Sequence, residues 1–109
     1  MQEIKAIIRP ERMNNVLHEL HGLAGLPGIT ISIVRLVGRR IAYEQADQLF
    51  GENEMAKIEM VVEEALVQPI VQAIKRGART GRAGDGKVFV LPVTAAIDVK
   101  TGETDDPAP

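Results

Sequence analysis

The spacing of apolar residues in this chain switches twice, from the two-residue repeat of a strand to the three-and-four repeat of a helix, and that double switch leaves few folds open. "EIKAIIRP", from Glu3, alternates Ile4, Ala6 and Ile8 with Lys5 and Arg9 around an extra apolar Ile7. It reads as a short strand that Pro10 ends, having no N–H to give a ladder. From Glu11 onward Met13, Val16, Leu17, Leu20, Leu23 and Ala24 share one helical face, which predicts a helix over 11–24. "GLAGLPG" stops it, and the β-branched run "ITISIVRLV" predicts a second strand over 29–37.

Residues 38–56 are mostly polar and show no repeat, so they form a long loop between two strands, a kind of connection that is more often functional than structural. "KIEMVVEE" predicts the third strand over 57–63. Val67, Ile70, Val71, Ile74 and Ala78 mark the second helix, with Pro69 placed in its first turn. "KVFVLPV", from Lys87, is nearly continuously apolar and reads as a central strand. The order βαββαβ specifies an α+β, ferredoxin-like sandwich, with an antiparallel four-stranded sheet and two helices on one face. It forms one domain over 1–103, followed by a polar, disordered tail over 104–109.

Composition narrows the function. A net charge of −2 with 3% aromatics offers neither a basic surface nor stacking platforms, so nucleic acid is not an expected partner. The absence of cysteine fits a reducing, cytoplasmic setting, and no stretch is long and apolar enough for insertion into a membrane.

The residue types that can carry chemistry gather in "ARTGRAGDGK". Gly81, Gly84 and Gly86 let successive amides converge on one anion, and Arg79, Arg82 and Lys87 add positive charge around it. A solvated helix-to-strand turn has the same composition, and glycine content alone favours that plainer reading. Two further basic clusters tilt the balance toward a phosphate: "GRR" at 38–40 opens the long loop, and "KTGE" at 100–103 follows a last extended segment.

"EIKAIIRP", "GITIS" leading to "GR", "KIEMVV", "ARTGRAGDGKVFVLPV" and "KTGE" resemble, in order and spacing, the PII signal-transduction proteins of nitrogen regulation. The pattern TGxxGDGKxFV is specific, and the resemblance spans nearly the whole chain. It implies a homotrimeric regulator, not an enzyme, that binds an adenine nucleotide (ATP, ADP or AMP) in clefts between subunits. On that pattern Gly84, Asp85, Gly86 and Lys87 match the phosphate loop. Gly38, Arg39 and Arg40 stand at the root of the long loop, where Arg39 matches a basic residue. Thr30 and Val61 match positions that hold the adenine, Glu59 sits near the ribose, and Lys100 comes from the neighbouring subunit. The long loop would dock on a target protein, such as an ammonium or other membrane transporter or a metabolic enzyme.

The chain also departs from the family. Asp98 and Lys100 stand where R-x-R-T-G-E carries two arginines, and an anion in place of a cation some 6 Å from a phosphate costs about 1–3 kcal/mol. ADP or AMP should then compete better against ATP. Arg40 replaces a glutamine and offers no carbonyl oxygen to a magnesium ion. The loop is shortened, and Tyr43 lies away from the family's modified position. These departures keep a nucleotide-independent trimeric interaction protein in view, linked to metal efflux by the likeness of "LHELHGLAGLPGITIS" to a divergent branch. Asp85 lacks a nearby nucleophile and base and reads as structural. His18 and His21 lack a clear third metal ligand.

Overall fold

A computed structural model of the chain describes residues 1–37 and 54–104. Residues 38–53 of the long loop expected over 38–56, and residues 105–109 of the tail expected over 104–109, lie outside them. Strand β1 (Gln2–Ile8) leads through a 3-10 turn (Pro10–Arg12) into α1 (Met13–His21); β2 (Thr30–Arg35), β3 (Glu54–Val62), α2 (Glu64–Ala78) and β4 (Gly86–Pro92) follow. The sheet runs β2-β3-β1-β4 and every neighbouring pair is antiparallel. The expected sandwich is therefore present.

Alternation decides which face is covered. Ile4, Ala6 and Ile8 of β1 and Ala56, Ile58, Met60 and Val62 of β3 point to the helices and are almost completely buried. They meet Val16 and Leu20 of α1 and Ile70, Ala73 and Ile74 of α2. Each large aliphatic side chain buried in this way stabilises the fold by about 1.5–3 kcal/mol, so the two middle strands and α2 carry most of the core. The two helices touch backbone to backbone where Gly77 faces Asn15 and Val16. Beside that contact the Arg12 guanidinium donates to the Gly77 carbonyl at 2.9 Å, satisfying one of the orphan carbonyls in the last turn of α2.

Five expectations are corrected. Strand β4 is an edge strand, not a central one. Its continuous apolar run means that both faces are apolar, not that both edges are paired: Val88 packs on the core, while Phe89, Val90 and Leu91 are 44%, 46% and 38% exposed. The first helix ends at His21; Leu23 and Leu26 still reach the core, but from the turn after it. Strand β3 begins at Glu54, because Glu54, Met55 and Ala56 pair with Arg35, Val34 and Ile33. Pro69 lies inside α2, at its sixth residue, and removes one helical hydrogen bond. The buried stripe on either side of it, Val67, Ile70, Ala73 and Ile74, outweighs that cost of about 3 kcal/mol. Thr104, assigned to the tail by its sequence, pairs with Ile97.

Candidate functional site

The segment from Arg79 to Gly86 joins the end of α2 to the start of β4, and its shape is set from inside by Asp85. That carboxylate accepts the Thr80 amide at 2.7 Å, the Gly81 amide at 3.0 Å, the Thr80 hydroxyl, and Nε of Arg9 at 3.0 Å. Nη2 of Arg9 donates to the Ala83 carbonyl at 2.7 Å, and the Arg82 amide to the Thr80 hydroxyl oxygen at 3.2 Å. The Thr80 hydroxyl and amide, with Arg9 and the Gly81 amide behind them, hold Asp85 far below the usual carboxylate range. A depressed carboxylate contributes its full share above its unfolded value near 4 and loses it only as pH falls through the lower folded value. The loop therefore keeps its internal anion at every physiological pH.

This changes the expected role of the amides. Those of Thr80 and Gly81 do converge on an anion, but it is the chain's own Asp85, in keeping with the structural reading of that residue. Gly84, Gly86 and Lys87 remain turned to a cleft of about 430 Å³, which they line with Ile7, Leu36, Met55 and Phe89. Among the described residues none pairs with Lys87 by a hydrogen bond or ion pair. An apolar floor beside exposed glycine backbone and a lysine suits a molecule with a flat apolar part and an anionic end. Gly86, at φ +128, sits so close to β1 that a Cβ would fall 2.0 Å from the Ile7 carbonyl oxygen, which requires glycine there. Arg79 lines a second cleft on the helix side of the loop, of about 390 Å³, with Lys75, Ile74 and Val88.

Thr30 and Glu59 are cross-strand partners and Val61 follows two residues along the same open face, so these three gather as a group. They do not join the loop. Lys5 faces both Glu59 and Phe89, placing Thr30 three strands from β4 and two residues below Lys87, roughly 16 Å away at ordinary strand spacing. The sheet between them carries ion pairs, Lys57 to Glu59 at 3.5 Å and Lys5 to Glu3 at 3.9 Å.

Lys100 is exposed in a turn beyond β4. There Asp98 accepts the amides of Lys100 and Thr101, each at 2.9 Å, and the Thr101 amide above all lowers its carboxyl below the ordinary range. The departure at Asp98 thus has a local use, an Asx turn that orders residues 98–101. Gly38, Arg39 and Arg40 lie outside the described residues. No cluster of three metal-ligating side chains occurs among the described residues, His18 and His21 included.

The sequence reading missed Arg9, Ile7 and Phe89. Arg9 was legible only as the charged end of a strand; nothing local ties it to a loop 76 residues away.

The family model for nitrogen regulatory protein P-II matches residues 1–103. The chain belongs to the P-II family. A P-II protein of Rhodospirillum rubrum is 40% identical over 107 residues, covering 94% of this chain and 95% of its own length. P-II 1 of Escherichia coli is 38% identical over 112 residues, covering 99% of each. In structure the chain is similar to Arabidopsis thaliana PII bound to citrate, with a TM-score of 0.77 and 37% identity over 98% of this chain and 87% of that one. P-II relatives are named as regulatory proteins rather than enzymes, and the fold of this P-II chain is that of its solved neighbour. Among the described residues no helix is long and apolar enough to cross a membrane.

Proposed function

We propose that this P-II chain is a cytoplasmic signal-transduction regulator. It binds an adenine nucleotide in clefts between copies of itself and passes the occupancy to a target protein through the segment before β3, residues 38–53. The observation that carries this reading is the cleft at the mouth of β4. Ile7, Leu36, Met55 and Phe89 give the base an apolar surface, while the backbone at Gly84 and Gly86 and the Lys87 ammonium receive phosphate. Arg39 and Arg40, at the root of the long loop, are the proposed couplers, since a ligand moves a loop only through contacts that differ between its states.

The opposite-edge placement of Thr30 and Lys87 supports assembly. A group on β2 and a loop on β4 meet only when the β2 side of one copy approaches the β4 side of the next, a head-to-tail contact that closes into a ring. Both edges carry the apolar surface such a contact needs: Ile31 and Ile33 are 44% and 59% exposed on β2, opposite Phe89 and Val90 on β4. The family resemblance supports a ring of three. Thr30, Glu59 and Val61 then belong to the base side of a cleft whose phosphate side is the neighbour's loop, and Lys100 of the ordered turn is a further cation at that boundary. The target, a transporter or a metabolic enzyme, is the protein that residues 38–53 would engage.

Thermal unfolding with AMP, ADP and ATP tests the reading. A nucleotide at a hundred times its dissociation constant should add about 2.7 kcal/mol, and Lys87→Ala should weaken ATP about tenfold through its lost charge-assisted contact. Citrate, the ligand of the Arabidopsis neighbour, is the comparison anion without a base. No shift with any nucleotide would leave the nucleotide-independent trimer as the better account.

A further inference from the structure

We infer that Arg9 is the positioning residue of the 80–86 loop: from the end of β1 it clamps Asp85 and the Ala83 carbonyl, and thereby turns Gly84, Gly86 and Lys87 toward the cleft without itself touching the occupant. The role in binding rests on the proposed function; the clamp does not.

Arg9 is a stiff lever. Its backbone is extended, with φ −64 and ψ 134, as the following Pro10 demands, and its carbonyl accepts the Arg12 amide at 3.0 Å. Directly before it β1 is paired on both sides, Ile8 with Ala56 and with Gly86. The guanidinium therefore projects from the end of a strand paired along both edges.

The loop has little else to hold it. Beyond the bonds centred on Asp85, the Arg82 amide to the Thr80 hydroxyl oxygen is the one further hydrogen bond within it among the described residues. The planar fork spans the loop, with Nε at 3.0 Å from one Asp85 oxygen and Nη2 at 2.7 Å from the Ala83 carbonyl, while the other Asp85 oxygen gathers the Thr80 and Gly81 amides. A Cβ on Gly84 would come 3.4 Å from Nη2, so the clamp runs tight against the glycine that lines the cleft. The Nε proton and one Nη2 proton are committed to protein acceptors within the molecule. The Arg9 and Asp85 side chains are only 22% and 21% exposed, so bulk water competes weakly for them. A lysine would bring the charge but could not bridge two acceptors with fixed geometry.

Two measurements on the full chain test this. Hydrogen exchange of the Thr80 and Gly81 amides should quicken about tenfold in Arg9→Met, with the β1 and β3 amides unchanged; equal protection in wild type and variant overturns the inference. Second, Arg9→Met and Asp85→Asn should each weaken ADP about tenfold, and the double variant should lose no more than either alone. Additive losses would mean that Arg9 acts on the ligand directly, and full recovery in Arg9→Lys would mean that charge alone suffices; either overturns the positioning role. If wild-type protein binds no adenine nucleotide, the proposed function falls while the exchange measurement still decides the clamp.

Discussion

Gly77→Ala should lower the melting temperature by roughly 8–12 °C, because the added methyl has nowhere to go. A Cβ at that position falls 2.6 Å from Val16 Cα, 2.7 Å from the Val16 nitrogen and 2.9 Å from the Asn15 carbonyl carbon. All three are backbone atoms of α1, so no rotamer change relieves the contact, and α1 must retreat. That withdraws Val16 and Leu20, both fully buried, from the core. Alanine gains about 1 kcal/mol over glycine in a helix interior, but overpacking at a rigid contact takes back more, for a net loss of about 2–3 kcal/mol at roughly 4 °C per kcal/mol for a chain of this length. Circular dichroism melting decides it. An unchanged or raised midpoint would mean that the helices separate without cost.

Gly86→Ala should be more damaging and should strike the site as well as the fold. Its φ of +128 is open to few residues besides glycine, and its Cβ would lie 2.0 Å from the Ile7 oxygen, 3.0 Å from the Ile7 carbon and 3.1 Å from Ile8 Cα. Backbone strain and overpacking together cost about 3–5 kcal/mol, unless the first residues of β4 detach from β1 and lose the pairs Ile8 with Gly86 and Ile7 with Lys87. Detachment moves Lys87 away from the cleft. Titration with ADP below the melting point of each variant separates the two effects. Gly77→Ala should bind like wild type while folded, and Gly86→Ala should not. Equal affinity in the two variants would remove the loop from the site.

The βαββαβ order and the buried faces were readable because alternation in β1 and β3 and the stripes on α1 and α2 are local patterns. The family motif likewise marked the loop and Lys87. What local pattern could not show were choices made across the sheet. "KVFVLPV" carries no mark of which of its edges is paired, so β4 looked central. Pro69 looked like a first-turn residue because the apolar stripe was read from Val67, and nothing in Glu64, Ala65 and Leu66 before it fixes the start at Glu64. Asp85 and Arg9 are 76 positions apart, and their union depends on the pairing of β1 with β4. Asp98 looked like a misplaced charge until the Lys100 and Thr101 amides were seen to fold onto it.

The placement of Thr30 and Lys87 on the two outer strands has a genetic corollary under the proposed assembly. Each cleft would draw its halves from different chains, so two defective alleles, one spoiled at Thr30 and the other at Lys87, could complement. A mixed ring of the two regenerates a whole pocket wherever the sound half of one meets the sound half of the other, although neither mutant alone makes any.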